Sequence, residues 1–196
     1  MKWRLIWRVG ITFAALMIVS ISVYKWANAT FVPALFQDAR VESVRISKDI
    51  VNLLEESLRN LEIISQADRD YNFSAALDLV YKELERIRIA KDRAKELTDQ
   101  LNVMAKAIAQ ITPIKAKNIA LEAVSTEVSL LSHLVIYNDT LNSLLETLRY
   151  KFSGDIRYDA EDVQKLVSGL NQQAQDINSL NDQFNQKIGE FDALVE

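Results

Sequence analysis

His133 is the only histidine in the chain, and the chain has no cysteine. A histidine that acts as a general base or binds a metal needs partner side chains within reach. On a helix, the neighbours of His133 three and four residues away would be Ser129, Leu130, Ile136 and Tyr137. None of these is an acid or a metal ligand of the usual kind. We therefore predict no catalytic residue, no metal site and no cofactor, and we predict that the protein is not an enzyme.

A group of acids near position 160 is the densest set of candidate calcium ligands. It consists of Asp155, Asp159, Glu161 and Asp162. An EF-hand loop places its ligands at alternate positions around a glycine, and this group lacks that pattern. Acids in the first turn of a helix are favoured by the positive end of the helix dipole. The group therefore predicts the start of a helix and not a metal site.

A pocket for a small ligand is the remaining chemical interpretation. Such a site needs several polar side chains that converge on one cavity. In and just after the apolar stretch at residues 128–137, the polar candidates for its lining are Ser129, Ser132, His133, Tyr137, Asn138 and Asn142. A polar cavity near Tyr137 would support ligand sensing or binding, whereas a filled core would favour a structural or interaction role.

Composition and charge narrow the classes of protein further. Only 4 glycines and 2 prolines occur among 196 residues, which favours long helices. Four of the 23 basic residues and none of the 27 acidic residues lie in the first 26 positions, so the rest of the chain carries a net charge of −8. Binding to nucleic acid depends on basic residues that neutralise phosphates, and an acidic body does not suit it. We predict no nucleic-acid partner.

An uncharged run at residues 9–24 predicts a membrane anchor. With its apolar flanks it reaches the roughly 20 residues that a bilayer span needs, and aromatic residues lie near both ends. The predicted anchor residues are Trp7, Arg8, Val9, Ile11, Phe13, Leu16, Ile18, Val19, Ile21, Val23, Tyr24 and Trp26. Three basic residues precede the run, so the positive-inside rule predicts a single-pass protein with a cytoplasmic N-terminus and everything else outside the cytoplasm.

Two boundaries near the anchor stay open. The triplet Ala27-Asn28-Ala29 resembles a signal-peptidase site, so residues 1–29 are either an uncleaved anchor or a cleaved signal, and both export the remainder. Residues 30–36 form a short apolar linker in which Pro33 should interrupt a helix. This linker either lies at the membrane interface or begins the core of the exported domain, residues 37–196.

Helical periodicity is nearly continuous beyond the linker. Apolar residues recur in steps of three and four within four segments, at about 37–65, 74–111, 113–152 and 159–195. Ser74 is a suitable cap for the second segment, and Pro113 suits the first position of the third. Because the connections are short, neighbouring helices should be antiparallel. The sequence predicts an all-α, up-down, coiled-coil-like four-helix bundle.

Two other arrangements share this pattern. One is a three-helix bundle whose first helical segment continues the membrane span, and the other is a pair of helical hairpins that splay apart. In the four-helix arrangement, Lys91 occupies a position of the apolar seam, where a polar residue can specify register. The third segment is apolar on more than one face, which predicts deep burial.

The fourth segment presents amides on its polar face. Charged residues are depleted at the cores of protein interfaces, so a face of amides is easier to desolvate than one of lysines and glutamates. The predicted partner face consists of Gln172, Gln175, Asn178 and Gln186. We expect a membrane-tethered structural or protein-interaction module whose partners are the lipid bilayer, through its anchor, and a protein or a second copy, through helical faces.

Overall fold

The computed structural model describes residues 31–195, which form four long α-helices. The helices are α1 (Ala34–Arg69), α2 (Phe73–Ala107), α3 (Ile114–Phe152) and α4 (Ala160–Val195). A short 3-10 turn, Ile108–Gln110, follows α2. No β-strand occurs within residues 31–195, and this part of the chain is all-α as the sequence predicts.

Local sequence explains where the first two helices begin. Pro33 precedes α1, and its carbonyl oxygen accepts hydrogen bonds from the first free amides of that helix. Asn72 caps α2, because its side chain accepts a hydrogen bond from the amide of Ala75 at 3.3 Å. Ser74 was the expected cap, and it lies inside the helix instead. Between the two helices Tyr71 adopts a positive φ of 57°, which lets the chain reverse over three residues.

The later boundaries follow the same logic. Pro113 immediately precedes α3, and a cis peptide bond joins it to Thr112. Gly154, at a φ of 71°, ends the turn after α3, as glycine commonly does beyond a helix C-terminus. Asp159 accepts a hydrogen bond from the amide of Glu161 at 2.8 Å and so stabilises the start of α4.

Heptad packing builds the core. In α2 the buried positions alternate in steps of four and three and include small residues that let helices approach closely: Ala76, Val80, Glu83, Ile87, Ala90, Ala94, Leu97, Leu101 and Met104. In α4 the buried positions are Leu170, Ala174, Ile177, Asn181, Phe184, Ile188, Phe191 and Val195. The prediction that Lys91 occupies the seam was wrong, because Ala90 takes the buried position beside it. Lys91 is half-buried at the edge of the seam, and its ammonium pairs with Asp139 of α3 at 2.6 Å.

Consecutive helices pack antiparallel, and α1 and α4 close the bundle. The rings of Phe36 and Phe191 lie 5.7 Å apart, and Arg40 forms a bidentate ion pair with Asp192, with its shorter contact at 2.7 Å. These contacts join the start of α1 to the end of α4. The described residues therefore form a closed up-down-up-down bundle and not a pair of separate hairpins.

The residues next to the predicted anchor divide between core and surface. Val32 and Phe36 are buried in the hydrophobic core, whereas Phe31 and Leu35 are exposed. For residues 30–36 the sequence allowed two locations, the core of the bundle or the membrane interface. The described part of this stretch packs one face into the core and leaves the other face exposed. All of the predicted anchor residues, from Trp7 to Trp26, lie outside the described residues.

Within residues 31–195, α3 is long and apolar enough to cross a bilayer, with a mean hydropathy of 1.5 over its most apolar stretch. Length and composition alone do not separate a membrane span from the core helix of a bundle. α3 buries Glu127, Asn138 and a series of leucines between its neighbours. It also forms exposed salt bridges to both neighbours, from Asp139 to Lys91 of α2 and from Glu122 to Lys187 of α4. We therefore describe α3 as the core helix of this bundle.

Candidate functional site

The candidate catalytic and metal-binding residues of the sequence, His133 and the acids near position 160, do not form a common site. His133 lies half-buried on α3. Within residues 31–195, no three histidine, cysteine, aspartate or glutamate side chains come together in a group that could hold a metal ion. The acids near position 160 have local partners: Arg157 binds Asp155 through its guanidinium at 2.6 Å, and Lys165 pairs with Glu161 at 3.0 Å. The hydrogen bonds from Arg157 lower the pKa of Asp155 to about 2.

The six predicted ligand-binding residues are dispersed around α3. Tyr137 and Asn138 are buried, and burial raises the pKa of the Tyr137 hydroxyl. Ser129 and Ser132 are exposed on the opposite side, while His133 and Asn142 are half-buried between the two. None of the six lines the cavity described next.

A small cavity does occur elsewhere, where α1, α3 and α4 meet. Its volume is about 20 Å³, enough for about one water molecule. Its lining consists of Arg40, Ser43, Val44, Ser47, Glu127, Leu130, Asn181 and Phe184. Ser43, Ser47, Glu127 and Asn181 all occupy buried positions, so polar side chains from three helices come together at this level of the core. We call these four residues the polar layer.

Glu127 is the titratable group of the polar layer. Its side chain is 6% exposed, and the surrounding apolar residues disfavour the charged carboxylate. Burial raises the pKa of Glu127 to about 7, and the positive charge of Arg40 opposes this shift in part. A carboxyl group in this environment changes its charge near neutral pH.

A second buried carboxylate lies between α1 and α2. Glu83 is fully buried. One of its oxygens accepts hydrogen bonds from Asn60 at 2.6 Å and from Arg86. Arg86 reaches outward to Glu56 at 3.1 Å. The other oxygen of Glu83 has no hydrogen-bond partner among the described residues, so the group depends on Arg86 for compensation.

The amide face of α4 is where the sequence predicts it. Gln172, Gln175 and Gln186 are exposed, and Asn178 is half-buried. Gln172 donates to Asp176 at 3.0 Å and Gln186 donates to Glu190 at 2.9 Å, one helical turn further along in each case. Acidic residues therefore accompany two of the four amides, and desolvating this face also affects charged groups.

An uncharged face of α3 is the surface that sequence reasoning missed. Leu121, Val128 and Val135 recur every seven residues, and all three are exposed. Serines and one isoleucine complete this α3 face, which consists of Leu121, Ser125, Val128, Ser129, Ser132, Val135 and Ile136. The sequence predicts deep burial for this helix, but only one of its two apolar faces enters the core.

Two of the three serines of the α3 face already donate a hydrogen bond within their own helix. Ser129 donates to the carbonyl oxygen of Ser125 at 3.1 Å, and Ser132 donates to that of Val128 at 3.0 Å. A hydroxyl that is bonded to its own helix loses little when water is removed from around it. No charged residue belongs to the face between Glu122 and Asp139. Covering the α3 face therefore removes apolar area from water and breaks no ion pair.

Comparison with known proteins adds no assignment to this geometry. The sequence matches no protein-family model, and no significant match to it was found among curated proteins or solved structures.

Proposed function

We propose that this protein is a membrane-tethered helical bundle that acts by protein contact outside the cytoplasm. The observation that carries the proposal is the α3 face, an exposed, uncharged heptad stripe on a helix whose opposite side already forms the core. Such a stripe offers i, i+7 apolar positions of the kind that pair helices in coiled coils and in helix-in-groove complexes. The partner is a protein helix or a second copy of the chain.

The tether is the predicted anchor at residues 1–29. Its uncharged run, basic N-terminal flank and aromatic ends support a single span with the bundle on the far side of the membrane. The bundle then projects from the bilayer as a rod, because a helix of 39 residues is about 58 Å long at 1.5 Å per residue. Faces that run along the rod, such as the α3 face, are open to a partner from the side.

The alternative function, binding of a small ligand, is supported less well. Pockets that enclose small molecules typically have volumes of about 300–1,000 Å³. The cavity at the polar layer has a volume of about 20 Å³, which suits a water molecule. Its lining includes hydroxyls, an amide and a carboxyl group, but most of the lining surface is apolar, and there is no room for a metabolite unless the helices separate.

Site-specific photo-cross-linking in intact cells tests the proposal. A photoreactive amino acid replaces Val128 on the α3 face, Gln175 on the amide face of α4, or Ile63 as an exposed apolar control on α1. We expect a discrete adduct of reproducible mass from position 128, and an adduct of twice the chain mass if the partner is a second copy. An adduct from position 175 would add the predicted amide face to the interface.

A charge placed on the α3 face provides the matched perturbation. Val135→Asp should abolish the adduct formed from position 128 and leave the helical circular dichroism unchanged, because the substitution lies on the surface. The proposal is refuted if positions 128 and 63 yield the same weak, heterogeneous products, or if Val135→Asp leaves the adduct unaffected.

A further inference from the structure

Three large apolar side chains are uncovered at the end of the bundle from which the anchor would emerge. Phe31 is 57% exposed, Leu35 is 64% exposed and Ile114 is 75% exposed. The amide of Thr112 donates to the carbonyl oxygen of Phe31 at 3.0 Å, which holds the loop before α3 against the start of the described chain. Ile114 follows that loop directly. The three side chains therefore belong to one end of the bundle.

Two exposed lysines accompany them. Lys106 lies in the last turn of α2 and Lys115 in the first turn of α3. An end that combines exposed apolar side chains with lysines has the composition that proteins use at a membrane surface, where rings and aliphatic groups enter the headgroup region and ammonium groups contact anionic lipids. Asp38 is the nearest exposed acid on α1, and it lies almost one turn further from this end than Leu35. The acids near the end of α4 are already paired with basic residues, Asp192 with Arg40 and Glu190 with Lys187.

From these observations we infer that this end of the bundle is itself a membrane-contact surface, docked on a bilayer interface that contains anionic lipid. This inference rests on the proposed anchor, and it adds that the bundle itself contacts the bilayer surface. We call Phe31, Leu35, Ile114, Lys106 and Lys115 the basal surface.

Continuity along the chain distinguishes this end from the other. The opposite end also exposes apolar groups, including Ile156 at 99%. Only the basal surface, however, adjoins the uncharged run at residues 9–24, which stops seven residues before Phe31. If that run is a span, seven residues in any conformation reach no further than about 25 Å, so the basal surface stays within reach of the headgroups. The exposed side chains at this end then have a lipid surface to cover them.

Site-specific labelling of the full-length chain in lipid nanodiscs tests the inference, because the absence of native cysteine permits single-cysteine variants. An environment-sensitive fluorophore is attached at Leu35→Cys, at Ile114→Cys or at the control Ile156→Cys, and quenching by nitroxide-labelled lipid is measured. We expect strong quenching and a blue-shifted emission at positions 35 and 114. Position 156, beyond the far end of α3 and about 57 Å away, should show neither effect.

Contact must also be separated from mere closeness to the anchor. In the Ile114→Cys background, Phe31→Ser with Leu35→Ser should shift the emission towards that of the water-exposed label, whereas Val41→Ser, at an exposed position further along α1, should not. Lys106→Gln and Lys115→Gln should each lower the equilibrium constant for docking, measured from the label at position 114, about fivefold in discs with anionic lipid. In zwitterionic discs the two substitutions should leave this constant unchanged.

The outcomes distinguish this inference from the proposed anchor. A chain that does not associate with nanodiscs overturns the anchor and, with it, the membrane contact. A chain that associates with discs but shows water-like emission at position 114 overturns the basal surface alone. Emission at position 114 that is insensitive to the Phe31 and Leu35 substitutions also overturns it, because the label would then report only the tether.

Discussion

Replacing Glu127 with glutamine should change how the stability of the bundle depends on pH. The glutamine is nearly isosteric and keeps a polar group in the polar layer, but it cannot become charged. Burial raises the pKa of Glu127 from its ordinary value of 4.5 to about 7. Between these two values the folded state binds more protons than the unfolded state, so the wild-type chain loses stability as the pH rises through this window.

The magnitude follows from the pKa difference. Each unit of difference between folded and unfolded states corresponds to about 1.4 kcal/mol, so the charged carboxylate costs the folded state up to about 3 kcal/mol. Below pH 4.5 the carboxyl group is neutral in both states, and the two proteins should have similar stability. At pH 8 the Glu127→Gln variant should therefore be more stable than the wild type by about 3 kcal/mol.

Urea unfolding of residues 31–196, followed by far-ultraviolet circular dichroism between pH 4 and pH 8, measures this difference. Glu122→Gln is the matched control on the same helix, because Glu122 is exposed and pairs with Lys187 at the surface. Its effect should stay below about 1 kcal/mol. Parallel stability curves for the wild type and Glu127→Gln, with no divergence as the pH rises, would falsify the assignment of a buried, neutral carboxyl group in the polar layer.

Three further predictions follow from the same structure. Arg86→Ala should destabilise the bundle by about 3 kcal/mol in urea unfolding, because it leaves the buried Glu83 carboxylate with the Asn60 amide but without a positive charge. Arg88→Ala breaks only an exposed pair with Glu85 and should leave the stability almost unchanged, so equal effects of the two substitutions would contradict this. Ile177→Ala should cost about 2–5 kcal/mol, since this fully buried side chain leaves a cavity, and a loss below 1 kcal/mol would mean that the site is not packed as described. A C-terminal reporter that is active only outside the cytoplasm should be active in cells, and activity of a cytoplasm-only reporter instead would reverse the orientation predicted from the basic N-terminal flank.

Helix number and helix boundaries were readable from the sequence because they depend on local chemistry. Apolar residues in steps of three and four require a helix that buries one face, and few residues other than Pro33, Asn72 and Gly154 favour a break in the chain. The short connections make antiparallel neighbours almost unavoidable. The caps were less predictable, because serine and asparagine two residues apart at the start of α2 are both acceptable, and the turn at Tyr71 decides between them.

The polar layer was partly visible in the sequence. In α4 the predicted apolar stripe skips from Ile177 to Phe184, and the heptad position between them is Asn181. The sequence therefore marks Asn181 as a polar residue at a core position. Glu83 occupies a buried heptad position of α2 as well, but only the structure reveals it. The sequence does not show that Asn181 meets Glu127 and two serines at one level, since that depends on the register between helices that are distant in sequence.

What the sequence by itself determined is therefore the set of amphipathic helices and their antiparallel order, because both follow from local periodicity and connection length. Only the tertiary structure decided which apolar face of α3 is buried. Val124 and Leu131 face the core while Val128 and Val135 face outward, and the two sets are nearly equal in hydrophobicity. The choice is made by the shape of the other three helices, which offer α3 only one groove. The same packing decided which end of the bundle leaves apolar side chains uncovered, because exposure is a property of the assembled helices and not of any one segment.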